Sequence, residues 1–279
     1  MPLDRTWLLG VARHERDGFG RTIQYTPPDR WEAPTQLTDW RAKDVLAHLA
    51  SSEVAIAAIL NEEVPAEFEE FLKATGARPS SLDEFMNGFN ERSVANRLDA
   101  TPRSLALDWG HAADLWLARA SRFVQDDWVK DVTWAVEEIP RHAVVQSRVA
   151  EWWVHGEDIR AAVGLPARLE HEPIFVINDY AIRQLTFRLG QDGLSFPGRS
   201  VQIDLDGPGE GSWRRGLARG ERPDPDRPPD AYIEGRGVAF ALVAARRIDP
   251  DDYLYEGDLL IGGDVDLART MLRHLRYGA

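Results

Sequence analysis

Apolar side chains recur at a helical period through the first two-thirds of the chain. Leu8, Leu9, Val11 and Ala12 predict a helix from Leu3 to about Gln24, its end weakened by Gly18 and Gly20. PPDRWEAPTQL reads as a loop. Thr38 can cap the next helix, in which Trp40, Val45, Leu46, Leu49, Ile56, Ile59 and Leu60 form a broad buried face. From Glu62 to Glu70 the chain turns acidic around Pro65, and together with ATGARPSS this predicts a surface excursion. Ser81 and Glu84 form a capping box that opens a helix with Phe85, Phe89, Val94 and Leu98 inward. Thr101-Pro102 opens another, striped with Leu105, Trp109, Ala112, Leu115, Trp116 and Phe123. After a connection bearing Trp128 and Trp134, Pro140 starts a long helix that ends near Val163, before Gly164 and Pro166.

Four or five amphipathic helices of this kind bury their faces best in an antiparallel bundle, here spanning residues 1–166. PARLEHEP is the expected linker, and the pattern changes beyond it. A helix from Pro173 to Gly190 precedes strand-like SVQIDLD, a turn at Gly207-Pro208-Gly209 and a second strand over Ser212 to Ala218. ERPDPDRPPD is too rich in proline to be other than a loop. AYIEG and DLLIGG predict short strands on either side of an apolar helix, Val238 to Arg247, and a last helix runs from Asp264 to Arg276. Residues 173–279 therefore read as a small α+β domain, and the fold class as α plus α+β.

Composition narrows the chemistry. With 33 Lys+Arg against 46 Asp+Glu, the chain carries a formal charge of −13, which repels nucleic-acid backbones and anionic lipid. No nucleic-acid or membrane partner is expected. The absence of cysteine excludes disulfides, zinc ribbons, iron–sulfur clusters and a protein-borne catalytic thiol. Charges interrupt the first apolar run too early for a signal peptide, and no stretch approaches the ~20 apolar residues of a membrane span, so the expected location is cytoplasmic.

Glu151 and His155, in RVAEWWVHGEDIR, are four residues apart and so share one helix face. That spacing can deliver two ligands to one ion, and His48 in AKDVLAHLA, on an otherwise apolar face, is the candidate third. Two histidines and one glutamate leave a coordination position open, the pattern of a catalytic zinc site. Spacing alone also allows Glu151 to pair with Arg148 or His155 and nothing more. Asp158 is a candidate to fix the His155 tautomer. His111, on the tryptophan-rich helix, is a weaker site candidate, while His14, His171 and His274 lie in charged, solvated surroundings.

Two segments resemble known motifs together. TDWRAKDVLAHLASSE resembles the first metal-ligand motif of the DinB-like, mycothiol-dependent maleylpyruvate isomerase family, and EWWVHGEDIRAAVGLP is similar to its second, E-x-x-x-H-G-x-D-I-R. The resemblance implies a DinB-like four-helix bundle followed by a sterol-carrier-like domain, with His48, Glu151 and His155 as ligands of a divalent metal, zinc by preference. It also implies an arginine after the apolar helix that serves the active site. Arg246 is the best match, with Arg247 its neighbour. The implied cosubstrate is mycothiol or a similar low-molecular-weight thiol, and the implied partner is a small electrophile, in a monomer or homodimer. The thiol would add to the electrophile, as in maleylpyruvate cis–trans isomerisation. A thiol S-transferase would share the first step, and a non-catalytic binding protein would share the fold.

Overall fold

The computed structural model describes residues 3–76, 82–134 and 137–278, and the chain divides into two compact units, Met1–Arg168 and Leu169–Gly278. The first is mostly helical. Its frame is α1 (Arg5–Tyr25), α2 (Ala42–Leu60), α5 (Pro102–Ala120) and α7 (Arg141–Val163). In this four-helix bundle, α2 packs on α5 and α7, and α1 packs on the same two. Leu8, Leu46, Leu49, Ile56, Trp116 and Trp152 lie fully buried between them.

Local chemistry sets the helix ends. The Thr101 hydroxyl accepts from the Ser104 N–H, and Pro102 occupies the first turn of α5. At the far end of α7, Gly164 takes φ +80°, a left-handed stop that glycine adopts at least cost. The start of α2 differs from expectation. Thr38 does not cap it, because the helix begins at Ala42, and Asp44 instead accepts from the Arg41 N–H at 2.9 Å. The same carboxylate receives the Arg41 side chain at 2.7 and 2.9 Å.

The acidic stretch after α2 contains a helix, α3 (Ala66–Thr75), rather than only a surface excursion. Its Phe68 and Phe71 pack edge-on against Phe85 and Phe89 of α4 (Leu82–Ala95), while Glu69 and Glu70 face outward and Glu67 pairs with Arg97. Pro65 is the N-cap of this helix rather than its interruption. The expected Ser81 cap lies outside the described residues. Leu98 is exposed beyond the end of α4, and Leu115 lies on the solvent face of α5. Phe123 is buried, but after that helix has ended. The tryptophan-bearing connection forms α6 (Gln125–Val129) and an antiparallel pair, β1 (Asp131–Trp134) and β2 (Glu137–Pro140).

The second unit is mixed α and β. It holds α8 (His171–Gln191), β3 (Phe196–Asp206), β4 (Gly211–Leu217), β5 (Ala231–Arg236), α9 (Gly237–Ala244), α10 (Pro250–Glu256), β6 (Leu259–Gly263) and α11 (Val265–His274). The sheet order is β4-β3-β5-β6, with β3 and β5 parallel and the outer pairs antiparallel. Val201, Ile203 and Leu205 of β3 alternate inward with Ala231 and Ile233 of β5; α9 packs on these two strands, α11 on β5 and β6, and α8 on β4. The short α10, opened by the Asp249 cap, has no counterpart in the sequence reading. Among the described residues, no helix is long and apolar enough to cross a membrane.

Burial would raise the Asp44 carboxyl, but its bonds to Arg41 hold it below the ordinary 3.8. This pair therefore adds stability above that value and loses it as pH falls through the lowered one. Asp44→Asn should cost about 1 kcal/mol at pH 7. In thermal denaturation, the gap between variant and wild type should shrink below pH 4.

Candidate metal centre

The side chains of interest come from α2 and α7. Val45 and Leu49 turn inward on α2, and His48, in phase with them, is buried as well. Arg148, Glu151 and His155 fall on successive turns of one α7 face. Glu151 Oε2 lies 3.3 Å from His48 Nε2 and 3.4 Å from His155 Nε2. The three donor atoms lie within 4.8 Å of one another. The imidazoles meet edge to face with ring centroids 5.0 Å apart, and the Trp40 ring packs 5.3 Å from His48.

A tetrahedral ion held ~2.0–2.1 Å from each ligand puts neighbouring donors ~3.3–3.4 Å apart. The two nitrogen–oxygen separations match that spacing, so the donor set fits a divalent ion of the zinc type. His155 Nδ1 donates to Asp158 Oδ2 at 2.9 Å, which fixes the tautomer that leaves Nε2 free to act as a donor atom. Asp158 is fully buried, and Gln36 donates to its other oxygen at 2.8 Å.

Charge in the cluster is tightly balanced. Burial would raise the Glu151 carboxyl, but the adjacent His155 and His48 rings and the charge of Arg148 hold it well below the carboxylate range. Burial lowers His48 against the pull of Glu151, with His155 and Arg148 acting in the same direction as burial. Burial also works to lower His155, yet Asp158 and Glu151 outweigh it and raise that imidazole. One carboxylate thus faces two imidazoles of opposite tendency, an arrangement suited to a shared cation.

The other sequence candidates lie elsewhere. His111, His14 and His171 are exposed, and His274 pairs with Asp192 at 2.6 Å. Arg246 belongs to the second unit. It follows α9 with φ +57°, exposed, at a position where helices usually place glycine. Its N–H bonds the Val243 carbonyl and that of Arg247 bonds Leu242, the pattern of a Schellman stop. Burial lowers its guanidinium, and the charges of Arg276 and Arg188 add to that against Asp192.

One neighbour of the cluster went unread in the sequence. Glu53 is fully buried and bonded to Trp116, Trp152 and Arg148. The available signal was its helical phase, since Leu49, Ala50 and Ile56 place position 53 on the buried side of α2.

Fold and site together define a DinB-like helical bundle that carries a candidate three-ligand metal centre. The family model described as the mycothiol maleylpyruvate isomerase N-terminal domain matches residues 12–160, a span that holds all three candidate ligands, and the chain belongs to that family. An uncharacterized protein of Mycobacterium tuberculosis, present in two strains, is 25% identical over 209 residues, 73% of this chain and 74% of its own. The crystal structure of the mycothiol-dependent maleylpyruvate isomerase shares the fold, with a TM-score of 0.59 at 18% identity over 89% of this chain and 91% of that one. A mutant of that isomerase gives a TM-score of 0.60 at 17% identity, over 94% of this chain and 95% of its own.

Replacing Asp158 with Asn should weaken zinc binding about 10–100-fold in chelator competition, because the His155 ring loses the acceptor that orients it. An unchanged affinity would show that Asp158 does not support the site.

Proposed function

We propose that the chain is a metal-dependent enzyme in which a low-molecular-weight thiol adds to a small electrophile. The supporting observation is the convergence of His48 Nε2, Glu151 Oε2 and His155 Nε2 within 4.8 Å of one another, with both nitrogen–oxygen separations at tetrahedral spacing, in a chain whose family model is described by mycothiol and maleylpyruvate isomerase. His48, Glu151 and His155 would hold the ion, zinc by preference for two imidazoles and a carboxylate. When bound, such an ion favours the deprotonated form of a thiol or water at neutral pH.

The protein's own groups do the rest. Asp158 keeps the proton of His155 on Nδ1, away from the donor nitrogen. Glu151 stays anionic without an external base, so its oxygen is ready at neutral pH. With no cysteine in the chain, the sulfur nucleophile comes from the cosubstrate. Addition of a thiol to a cis double bond leaves a single bond free to rotate, and expulsion of the thiol gives the trans product. Retention of the sulfur would make the same protein an S-transferase. Arg246 is proposed to grip a substrate carboxylate by paired N–H donors. Its left-handed backbone, costly for arginine, supports a role for that side chain beyond folding.

Two measurements test this reading. Zinc-loaded protein incubated with mycothiol and maleylpyruvate should form the trans isomer only when both metal and thiol are present, and His48→Ala should abolish turnover with its helical circular dichroism intact. A thioether product would identify the transferase, and no product from either thiol or metal would reject the enzyme. Arg246→Gly should raise KM for a carboxylate substrate yet raise stability by up to about 1 kcal/mol, because glycine relieves the left-handed strain. A variant that loses stability without any change in KM would assign Arg246 to the fold.

A further inference from the structure

Glu151 Oε2, the atom that both imidazoles approach, has a third neighbour. Arg148, one turn earlier on α7 and almost fully buried, places Nη2 3.8 Å from that oxygen. A guanidinium beside a carboxylate competes with a metal ion for the same lone pairs. What holds it back comes from α2. Glu53 Oε1 lies 3.3 Å from Arg148 Nη1, closer than Glu151 lies to the same side chain.

Glu53 is itself clamped. Trp152 Nε1 donates to its Oε1 at 2.8 Å, and Trp116 Nε1 donates to its Oε2 at 2.6 Å. The two indoles stack with centroids 5.3 Å apart and leave the carboxylate no other place to go. On its other side the Arg148 guanidinium lies 5.7 Å from the Trp134 ring. Three helices thus fix one buried acid whose partner is the arginine beside the candidate ligand.

We propose that Glu53 is a positioning residue: by anchoring and neutralising Arg148, it keeps Glu151 Oε2 available to a divalent cation. The proposal rests on the reading of His48, Glu151 and His155 as metal ligands. Charge points the same way. With both imidazoles neutral and the acids ionised, Asp158, Glu53, Arg148 and Glu151 sum to −2 before a divalent cation binds and 0 after it. Without the Glu53 charge the sums are −1 and +1, and an interior of low effective dielectric penalises the second, uncompensated state more heavily.

Zinc affinity measured by chelator competition on the full chain tests this without any turnover assay. Glu53→Gln keeps an acceptor for an indole but loses the charge, and should weaken zinc binding at least about tenfold. Adding Arg148→Met in the same chain should bring the affinity back to within about threefold of wild type, because the competitor is gone. If Glu53 served only to stabilise the bundle, the double variant would bind no better than the single one, and that result overturns the proposal. An unchanged affinity in Glu53→Gln overturns it as well. Should Glu53→Gln fail to fold, Trp116→Phe loosens one Glu53 oxygen with every charge in place. It should cost about threefold in affinity, the scale of one lost hydrogen bond, and no loss would count against the proposal. Failure of the wild-type chain to bind zinc would instead reject the metal centre itself.

Discussion

A single carboxylate oxygen, Glu151 Oε2, lies within 3.4 Å of two imidazole nitrogens, one from its own helix and one from α2. Around that point the protein has to keep ionisable groups dry, and the bundle is built to do so. Asp158 and Gln36 hold His155 from behind, Arg148 balances Glu151, and Glu53 with two tryptophans balances Arg148. Every charge nearest the centre therefore has a partner of opposite sign or a donor within reach, which is the condition for burying it at all.

The cost of that burial accounts for the frame around it. Trp109, Trp116 and Trp152 fill the space between α5 and α7 with ring contacts of 5.3 and 5.8 Å, and two of their indole nitrogens also serve Glu53. Large aromatic side chains supply apolar area and a single polar handle together, so the same residues exclude water and satisfy the acid. The second unit solves a simpler problem. Its sheet buries aliphatic side chains under three helices, and among its described residues Arg246 is the one non-glycine with a left-handed backbone.

Much of this was legible from residue order. Helical periodicity located the four frame helices, and the two motifs located His48, Glu151 and His155, because a ligand pair four apart on one helix is a local property. Asp158 was readable for the same reason, three residues beyond the histidine it orients. What failed was local in another way. Three glutamates around Phe68 and Phe71 hid α3, since two inward rings in ten residues give little periodic signal and Pro65 looked like a break when it is a cap. Leu98 and Leu115 were assigned inward on hydrophobicity alone, and solvent-exposed leucines are common. Phase alone puts Glu53 on the buried side of α2, but the partners that give a buried acid a role there, Trp116 and Arg148, are 63 and 95 positions away. Spacing within one segment carries no trace of partners that distant.

The central claim is that these three side chains bind a divalent ion and leave it room for a thiol. X-ray absorption at the zinc edge on the purified, zinc-loaded chain tests it most directly. The account predicts a first shell of light atoms with the multiple-scattering signature of two imidazoles, and a new sulfur contribution near ~2.3 Å once mycothiol is added. A shell without imidazole scattering, or one that mycothiol leaves unaltered because protein ligands already fill it, would contradict the account.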